Sequence, residues 1–127
     1  FCQFKHQMQL LNNFYHITQQ SGTGREIRFK IAFHPDHIIY KAHFPQQPVT
    51  PGVCTLQTVT ELAELVLQRS LRVVGIKNAK FLALLTPIDV PEVFIDLNIK
   101  EEAAACHIKA EVSTEQQVYA KLSIMYA

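Results

Sequence analysis

The chain has 127 residues, of which 48% are hydrophobic and 18% charged, the composition of one globular domain and not of a disordered segment. Its 12 basic and 11 acidic residues nearly cancel, which argues against a nucleic-acid partner or an anionic membrane surface. No apolar run reaches the roughly 18 residues that a membrane span needs.

The three cysteines, Cys2, Cys54 and Cys106, are widely spaced and form neither a CxxC pair nor a disulfide framework. We therefore expect a reducing, cytoplasmic environment. No basic stretch followed by an apolar core comes after Phe1, so no secretory signal peptide is expected.

The first part of the chain predicts two strands joined by a hairpin. Residues 13–20 are a strand candidate, and residues 21–24, Ser-Gly-Thr-Gly, form the predicted hairpin loop. Residues 25–33 alternate between two faces, as in a half-buried strand, and the apolar face carries Ile27, Phe29, Ile31 and Phe33.

Residues 52–69 break this alternation with a helical repeat. Thr50 is the predicted N-cap, and Pro51 fits the first helical position, where a missing N–H costs nothing. Apolar residues cover most of the helix surface, which predicts a buried helix. The polar exceptions form one stripe, at Gln57, Glu61, Glu64 and Gln68.

The remaining chain predicts four strands. Residues 72–85 are one candidate, and residues 93–99, 104–112 and 118–124 each alternate between apolar and polar side chains. Charged or turn-prone residues separate the last three, at 100–102 and 113–117. This pattern is typical of an antiparallel meander with one hydrated face.

The order of two strands, one helix and four strands predicts a single α+β domain over residues 1–127. A sheet of five to seven antiparallel strands needs a cover for its apolar face, and the long helix is the candidate. A sheet wrapped around one long central helix is the hot-dog fold.

The segment that leads into the helix resembles a family signature. Residues 42–53 read Ala-His-Phe-Pro-Gln-Gln-Pro-Val-Thr-Pro-Gly-Val. This is similar to Gly-His-Phe-Pro-Gly-x-Pro-(Val/Ile)-x-Pro-Gly-Val, the motif of the 3-hydroxyacyl-(acyl carrier protein) dehydratases, which are hot-dog proteins. Residues 79–81 and 86–89 are similar to a later strand motif of that family, so the resemblance spans most of the chain.

The resemblance implies a lyase of fatty-acid-type metabolism that removes water from a 3-hydroxyacyl thioester. His43 corresponds to the family's base, and an imidazole pKa of roughly 6.5 suits proton transfer near neutrality. Backbone N–H groups near Gly52 and Val53 would bind the thioester oxygen, and Phe44 and Pro51 complete the substrate-binding set. No cofactor or metal is implied, because acyl carrier protein or CoA presents the substrate on phosphopantetheine.

Two positions depart from the family in a way that matters for catalysis. Gln57 occupies the position of the family's acid, and Glu61 occupies a position that is commonly Gln. An amide can hold a hydroxyl or a water but cannot deliver a proton as a carboxylic acid does. Glu61 carries a carboxylate, but about 6 Å farther along the helix axis. Both residues are therefore catalytic candidates. The family's arginine pair is replaced by Leu82 and Ala83.

Each candidate also has a purely structural interpretation. His43 could be a structural histidine, Gln57 an amide at the edge of the core, and Glu61 a paired or hydrated side chain at a helix end or a dimer seam. Cys54 fits a small core residue better than a reactive thiol.

Other polar side chains are also open to two interpretations. His34 and His37 flank a predicted turn, where a solvated loop is favoured over a metal site. Lys77 and Lys80 would receive an acidic carrier or form a solvated strand face.

Two other functions compete with dehydration. A hot-dog thioesterase would use the same helix start to polarise the carbonyl while water attacks it. A non-catalytic acyl-binding subunit would explain Gln57 as lost acid chemistry. In any of these cases we expect a homodimer or higher homo-oligomer, and in the dehydratases each site takes the histidine from one chain and the helix residue from the other.

Overall fold

The computed structural model describes residues 10–42 and 48–127. In this part of the chain two strands precede two helices, and four strands follow. The elements are β1 (Tyr15–Thr23), β2 (Glu26–Phe33), α1 (Ile38–Ala42), α2 (Gly52–Leu67), β3 (Val73–Phe81), β4 (Glu92–Glu102), β5 (Ala105–Ser113) and β6 (Val118–Tyr126). The predicted order is confirmed, and the short helix α1 is an addition to it.

The six strands form one antiparallel sheet in the order β1-β2-β4-β5-β6-β3. The chain leaves the sheet after β2, forms both helices and returns at the far edge as β3. Strand β4 then pairs with β2 and closes the gap in the order. This is the hot-dog arrangement expected from the sequence.

The alternation of apolar residues decides which side of the sheet faces α2. Phe29 pairs with Ile95, Ile95 with Val112, and Val112 with Ala120, and all four side chains are buried. Rows of this kind stack across the sheet because residues paired in neighbouring strands point to the same face. The inner face and α2 therefore share one hydrophobic core.

Helix α2 is buried over most of its length, from Cys54 to Ala63. Two of its threonines bond to helix carbonyls one turn earlier. Thr58 donates to the carbonyl of Cys54, and Thr60 donates to the carbonyl of Leu56. The helix ends at Gln68, which adopts the left-handed conformation and donates its N–H to the carbonyl of Glu64. Within the described ranges no helix is long and apolar enough to cross a membrane.

The start of α2 differs by one residue from the prediction. Pro51 is the N-cap, with φ −63° and ψ 145°, and Gly52 is the first helical residue. Thr50 does not cap the helix, because its hydroxyl lies 2.8 Å from the hydroxyl of Tyr40 and its N–H donates to the carbonyl of Leu85. A tertiary contact has taken the side chain that local sequence rules assign to capping.

The turns are also tighter than predicted. Strand β1 continues through Thr23, which pairs with Glu26, so a two-residue connection replaces the predicted four-residue loop. Gly22 makes this pairing feasible: its φ is 101°, and a Cβ there would lie 2.3 Å from the carbonyl oxygen of Glu26. Residues 100–102, predicted as a separator, belong to β4, and the chain turns at Ala103 with φ 48°.

Candidate functional site

The N-terminus of α2 carries backbone donors without a side-chain cap. The N–H groups of Cys54 and Thr55 reach the carbonyl of Pro51, at 3.0 and 3.2 Å. Gly52 and Val53 precede them, and the first N–H groups of a helix have no acceptor inside it. Val53 is 54% exposed, so this end of the helix reaches the surface. The arrangement provides aligned donors and the positive end of a helix dipole.

A cavity of about 250 Å³ lies beside these donors. Its walls combine the helix start with the chain that follows β3: Val49, Thr50, Pro51, Gly52, Thr55, Phe81, Ala83, Leu84, Leu85, Tyr119 and Ala120. The ring of Phe81 packs on Gly52, where a Cβ would lie 3.0 Å from its Cζ atom. The absence of a side chain at Gly52 therefore lets an aromatic ring approach the helix start. Among the predicted substrate-binding residues, Pro51 and Gly52 line the cavity and Val53 does not.

His43 and Phe44 lie outside the described residues. The structure does show how the chain is held on either side of them. The Tyr40 and Thr50 hydroxyls lie 2.8 Å apart, and the Tyr40 ring stacks on Phe14 with centroids 4.8 Å apart. This link joins the end of α1 to the start of α2 and is buried.

Glu61 lies buried in the middle of α2, where both carboxylate oxygens are fully used. Oε1 accepts the N–H of Leu11 at 2.8 Å and the hydroxyl of Tyr15 at 3.0 Å. Oε2 accepts the N–H of Leu10 at 2.8 Å and the amide of Gln57 at 2.9 Å. An ionised carboxylate offers about four acceptor positions, so these four donors saturate it. Glu61 thus ties residues 10–15 to the central helix.

Gln57 is 5% exposed and bonds to Glu61 through its Nε2 atom. Its other amide atom, Oε1, is buried and has no hydrogen-bond partner among the residues described. Buried acceptors are rarely left in this state without a reason. The hydrogen bond brings Gln57 and Glu61 together. Neither residue lines the cavity at the helix start of the same chain.

Tyr15 belongs to this polar cluster, although sequence reasoning did not identify it. Burial, followed by the negative charge of Glu61 and the hydrogen bond to it, raises the pKa of the Tyr15 hydroxyl far above its usual range. The phenol is therefore a permanent donor to the carboxylate. A glutamate on a nearly apolar helix signals that donors must exist, but the sequence does not say that residues 10–15 supply them.

The remaining candidates occupy less distinctive surroundings. Cys54 is buried, and burial raises the pKa of its thiol to about 11, which agrees with a core role. His34 lies with Nε2 2.7 Å from Nδ1 of His16, and the described ranges contain no group of three potential metal ligands. Lys77 and Lys80 are exposed on the edge strand β3.

A second cavity, of about 660 Å³, is a trough across the outer face of the sheet. Mutually compensating charges line it, including the bidentate contact between Arg28 and Asp96. The trough lies on the face opposite α2 and contains none of the predicted site residues. Its size alone therefore does not make it the functional site.

Comparison with known proteins identifies relatives of this chain. A family model described as ApeI dehydratase matches residues 18–123. A curated protein, the 3-hydroxyacyl-(acyl-carrier-protein) dehydratase FabZ of Levilactobacillus brevis, is 27% identical over 86 residues. The match covers 62% of this chain and 57% of that protein, so the chain spans little more than half of this relative's length.

Solved structures share the fold. The dehydratase heterocomplex ApeI:P from Xenorhabdus doucetiae superposes with a TM-score of 0.70 at 19% identity, over 87% of this chain and 96% of the other. A protein described as a candidate thioesterase, YhdA of Lactococcus lactis, gives a TM-score of 0.59 at 14% identity, over 87% and 90% of the two chains. At these identities the structures establish the hot-dog fold and no more.

Proposed function

The chain belongs to the ApeI-like dehydratase family, and on this premise we propose that it removes water from 3-hydroxyacyl thioesters carried on phosphopantetheine. The observation that carries the proposal is the start of α2, where uncapped N–H groups adjoin a mostly apolar cavity. A thioester oxygen gains negative charge when the neighbouring carbon loses a proton. Helix N-terminal donors stabilise such charge.

In the proposed reaction, the imidazole of His43 takes the proton next to the thioester carbonyl. The electrons of that C–H bond form the new double bond, the C–O bond of the 3-hydroxyl breaks, and the imidazolium returns the proton to the departing oxygen as water. The backbone N–H groups at the start of α2, near Gly52, hold the carbonyl oxygen throughout. Histidine suits both halves of this transfer because its pKa lies close to neutrality.

We propose that the working unit contains two hot-dog chains. Gln57 does not line the helix-start cavity of its own chain, which supports a site completed by a partner. In the described ranges β3 pairs only with β6, and Val74 and Ile76 on this edge strand are about half exposed. An open apolar strand edge favours association. A homodimer is the simplest form, and the ApeI:P heterocomplex provides the precedent for two different chains.

Thioester hydrolysis is the second candidate, because of the side chain at position 57. Gln57 cannot protonate a departing hydroxyl, and Glu61 is saturated by four donors. If the base took its proton from a water instead of from the substrate, the water oxygen would attack the thioester carbonyl in the same cavity. The C–S bond would then break, and the departing sulfur would take the proton and leave as a free thiol. A subunit that binds acyl chains without turning them over would show neither reaction.

The test follows both reactions in one assay. The purified protein is incubated with 3-hydroxyacyl pantetheine thioesters, and enoyl absorbance and free thiol are recorded together. Enoyl formation that depends on His43 supports the proposal. Thiol release without enoyl product supports the thioesterase, and acyl binding without either product supports the non-catalytic subunit.

Two histidine variants make the assay specific. His43→Ala should reduce dehydration by at least about 100-fold, the usual contribution of a general base. His107→Ala is the matched control, because His107 lies on the outer face of β5 and bonds to Ser123. Full dehydration activity in His43→Ala would refute the assignment. Native mass by light scattering tests the dimer, and a monomer that retains full activity would exclude a shared site.

A further inference from the structure

We infer that Gln57 accepts a hydrogen bond from the 3-hydroxyl group of the substrate, and that Glu61 is the positioning residue that turns the Gln57 amide into this orientation. This inference rests on the proposed function and names the group that the site recognises. Gln57 stands where the family has its acid, and Glu61 stands where the family commonly has Gln. The inference gives each residue a distinct role, and neither residue donates a proton as a carboxylic acid.

The first step is the orientation of the amide. A carboxylate can only accept hydrogen bonds, so the Gln57 atom 2.9 Å from Glu61 Oε2 must be the NH₂ group. The backbone donors of Leu10 and Leu11 and the Tyr15 hydroxyl occupy the other acceptor positions of Glu61. With this carboxylate fixed, rotation of the Gln57 amide by 180° would place two acceptors against each other. The cluster therefore holds Gln57 in one orientation.

The other atom of the amide group, Gln57 Oε1, has no hydrogen-bond partner in the described part of the chain. Orientation of the NH₂ group toward Glu61 directs Gln57 Oε1 away from it, and this oxygen is buried and unpartnered among the residues described. A buried acceptor without a donor is unfavourable, and a ligand removes this cost when it supplies a hydrogen. The position thus selects a ligand that carries a donor.

The third step matches this donor to a chemical class. A 3-hydroxyacyl thioester carries one O–H group close to the thioester, whereas the unsubstituted acyl chain and the enoyl product carry none. An acceptor that meets the hydroxyl therefore favours substrate over product. It also orients the departing oxygen, so that the proton it needs comes from His43 and not from Glu61.

The experiment measures binding rather than turnover, so that it separates this inference from the reaction. The probes are pairs of pantetheine analogues in which an amide replaces the thioester, one with a 3-hydroxyl and one without. Titration calorimetry gives the ratio of their affinities. The protein should prefer the hydroxylated analogue by about tenfold, which is the 1.4 kcal/mol of one good hydrogen bond.

Three variants change the two residues separately. Gln57→Leu removes donor and acceptor, while Gln57→Lys keeps a donor for Glu61 and removes only the acceptor. Both should bring the ratio close to one. Glu61→Gln lets the Gln57 amide turn and should reduce the preference below about threefold. Glu64→Gln is the control: it makes the same change one turn along α2, where the carboxylate accepts the N–H of Leu71, and the preference should stay at about tenfold.

The outcomes are distinguishable. If neither analogue binds, the proposed acyl site is wrong and this inference fails with it. If both analogues bind equally well to the unmodified protein, the acyl site stands and the role of Gln57 is refuted. A tenfold preference that survives in Gln57→Lys also refutes it, since that variant has no acceptor at this position. Loss of the preference in Glu61→Gln but not in Glu64→Gln supports the positioning role.

Discussion

Replacement of Glu61 by glutamine should destabilise the protein strongly, although the two side chains have nearly the same shape. Glutamine presents one oxygen and one NH₂ group to the donors that now surround the carboxylate. The Tyr15 hydroxyl and the Gln57 amide can reverse their roles and accept from the new NH₂ group. The N–H groups of Leu10 and Leu11 cannot, because a backbone N–H only donates. One of them must therefore lose its acceptor.

The loss in the free energy of unfolding can be estimated from the hydrogen bonds that change. One buried backbone donor without an acceptor costs roughly 1–3 kcal/mol, and the remaining hydrogen bonds fall from charged strength, about 1.5–3 kcal/mol each, to neutral strength, about 0.5–1.5 kcal/mol. The desolvation cost of a buried charge disappears and offsets part of the loss. We expect a net loss of about 3 kcal/mol, which lowers Tm by about 10 °C for a domain of this size.

Urea unfolding at fixed protein concentration measures this loss, with circular dichroism as the signal. The midpoint should fall while the m-value stays constant. Glu115→Gln is the control, because Glu115 is exposed in the turn between β5 and β6 and should change stability by less than about 0.5 kcal/mol. A Glu61→Gln protein as stable as this control would refute the view that the carboxylate anchors residues 10–15.

Four further predictions address other parts of the molecule. Thr60 donates to the carbonyl of Leu56 and therefore accepts from the hydroxyl of Tyr126. By urea unfolding, Tyr126→Phe should lower the free energy of unfolding by about 1 kcal/mol, and Thr60→Val should lower it clearly more, because the valine leaves the buried Tyr126 hydroxyl without an acceptor. The double variant should recover stability relative to Thr60→Val. Gly52→Ala should leave stability within about 1 kcal/mol, since the half-exposed Phe81 ring can move, yet reduce kcat/KM at least about tenfold. Burial raises the Cys54 pKa from 9.0 to about 11, so its alkylation near neutrality should be about 100-fold slower than in the unfolded chain. The raised value also means that Cys54 contributes stability that is complete below pH 9 and lost as pH rises toward 11, which alkaline unfolding curves of Cys54→Ala would test.

The sheet was predictable from the sequence because each strand carries its own signal. Residues 25–33 alternate without interruption, and their inner face needed no tertiary information. The ends were harder to predict. Residues 100–102 are charged and read as a separator, but they continue β4 because Glu101 and Glu102 pair with Cys106 and Ala105. Pairing with a neighbour overrode local propensity.

The helix start shows a similar limit. Thr50 is a good N-cap by local rules, but the Tyr40 hydroxyl engages it from ten positions away in the sequence. The sequence identified Glu61 and Gln57 as candidates from their positions on the helix. It did not predict that four hydrogen-bond donors would occupy the carboxylate of Glu61. Its partners come from residues about 50 positions earlier, and no local pattern reports a contact at that distance.

The link between Tyr40 and Thr50 has a consequence for how this protein could change over time. It fastens together the two ends of the segment that carries the proposed base, yet Tyr40 itself is buried behind Phe14 and apart from the helix-start cavity. A substitution such as Tyr40→Phe would keep the stacked ring and remove the hydroxyl contact with Thr50. Under the proposed mechanism, natural variants at position 40 would thereby change how the two ends of this segment are held, from a residue that does not itself line the helix-start cavity.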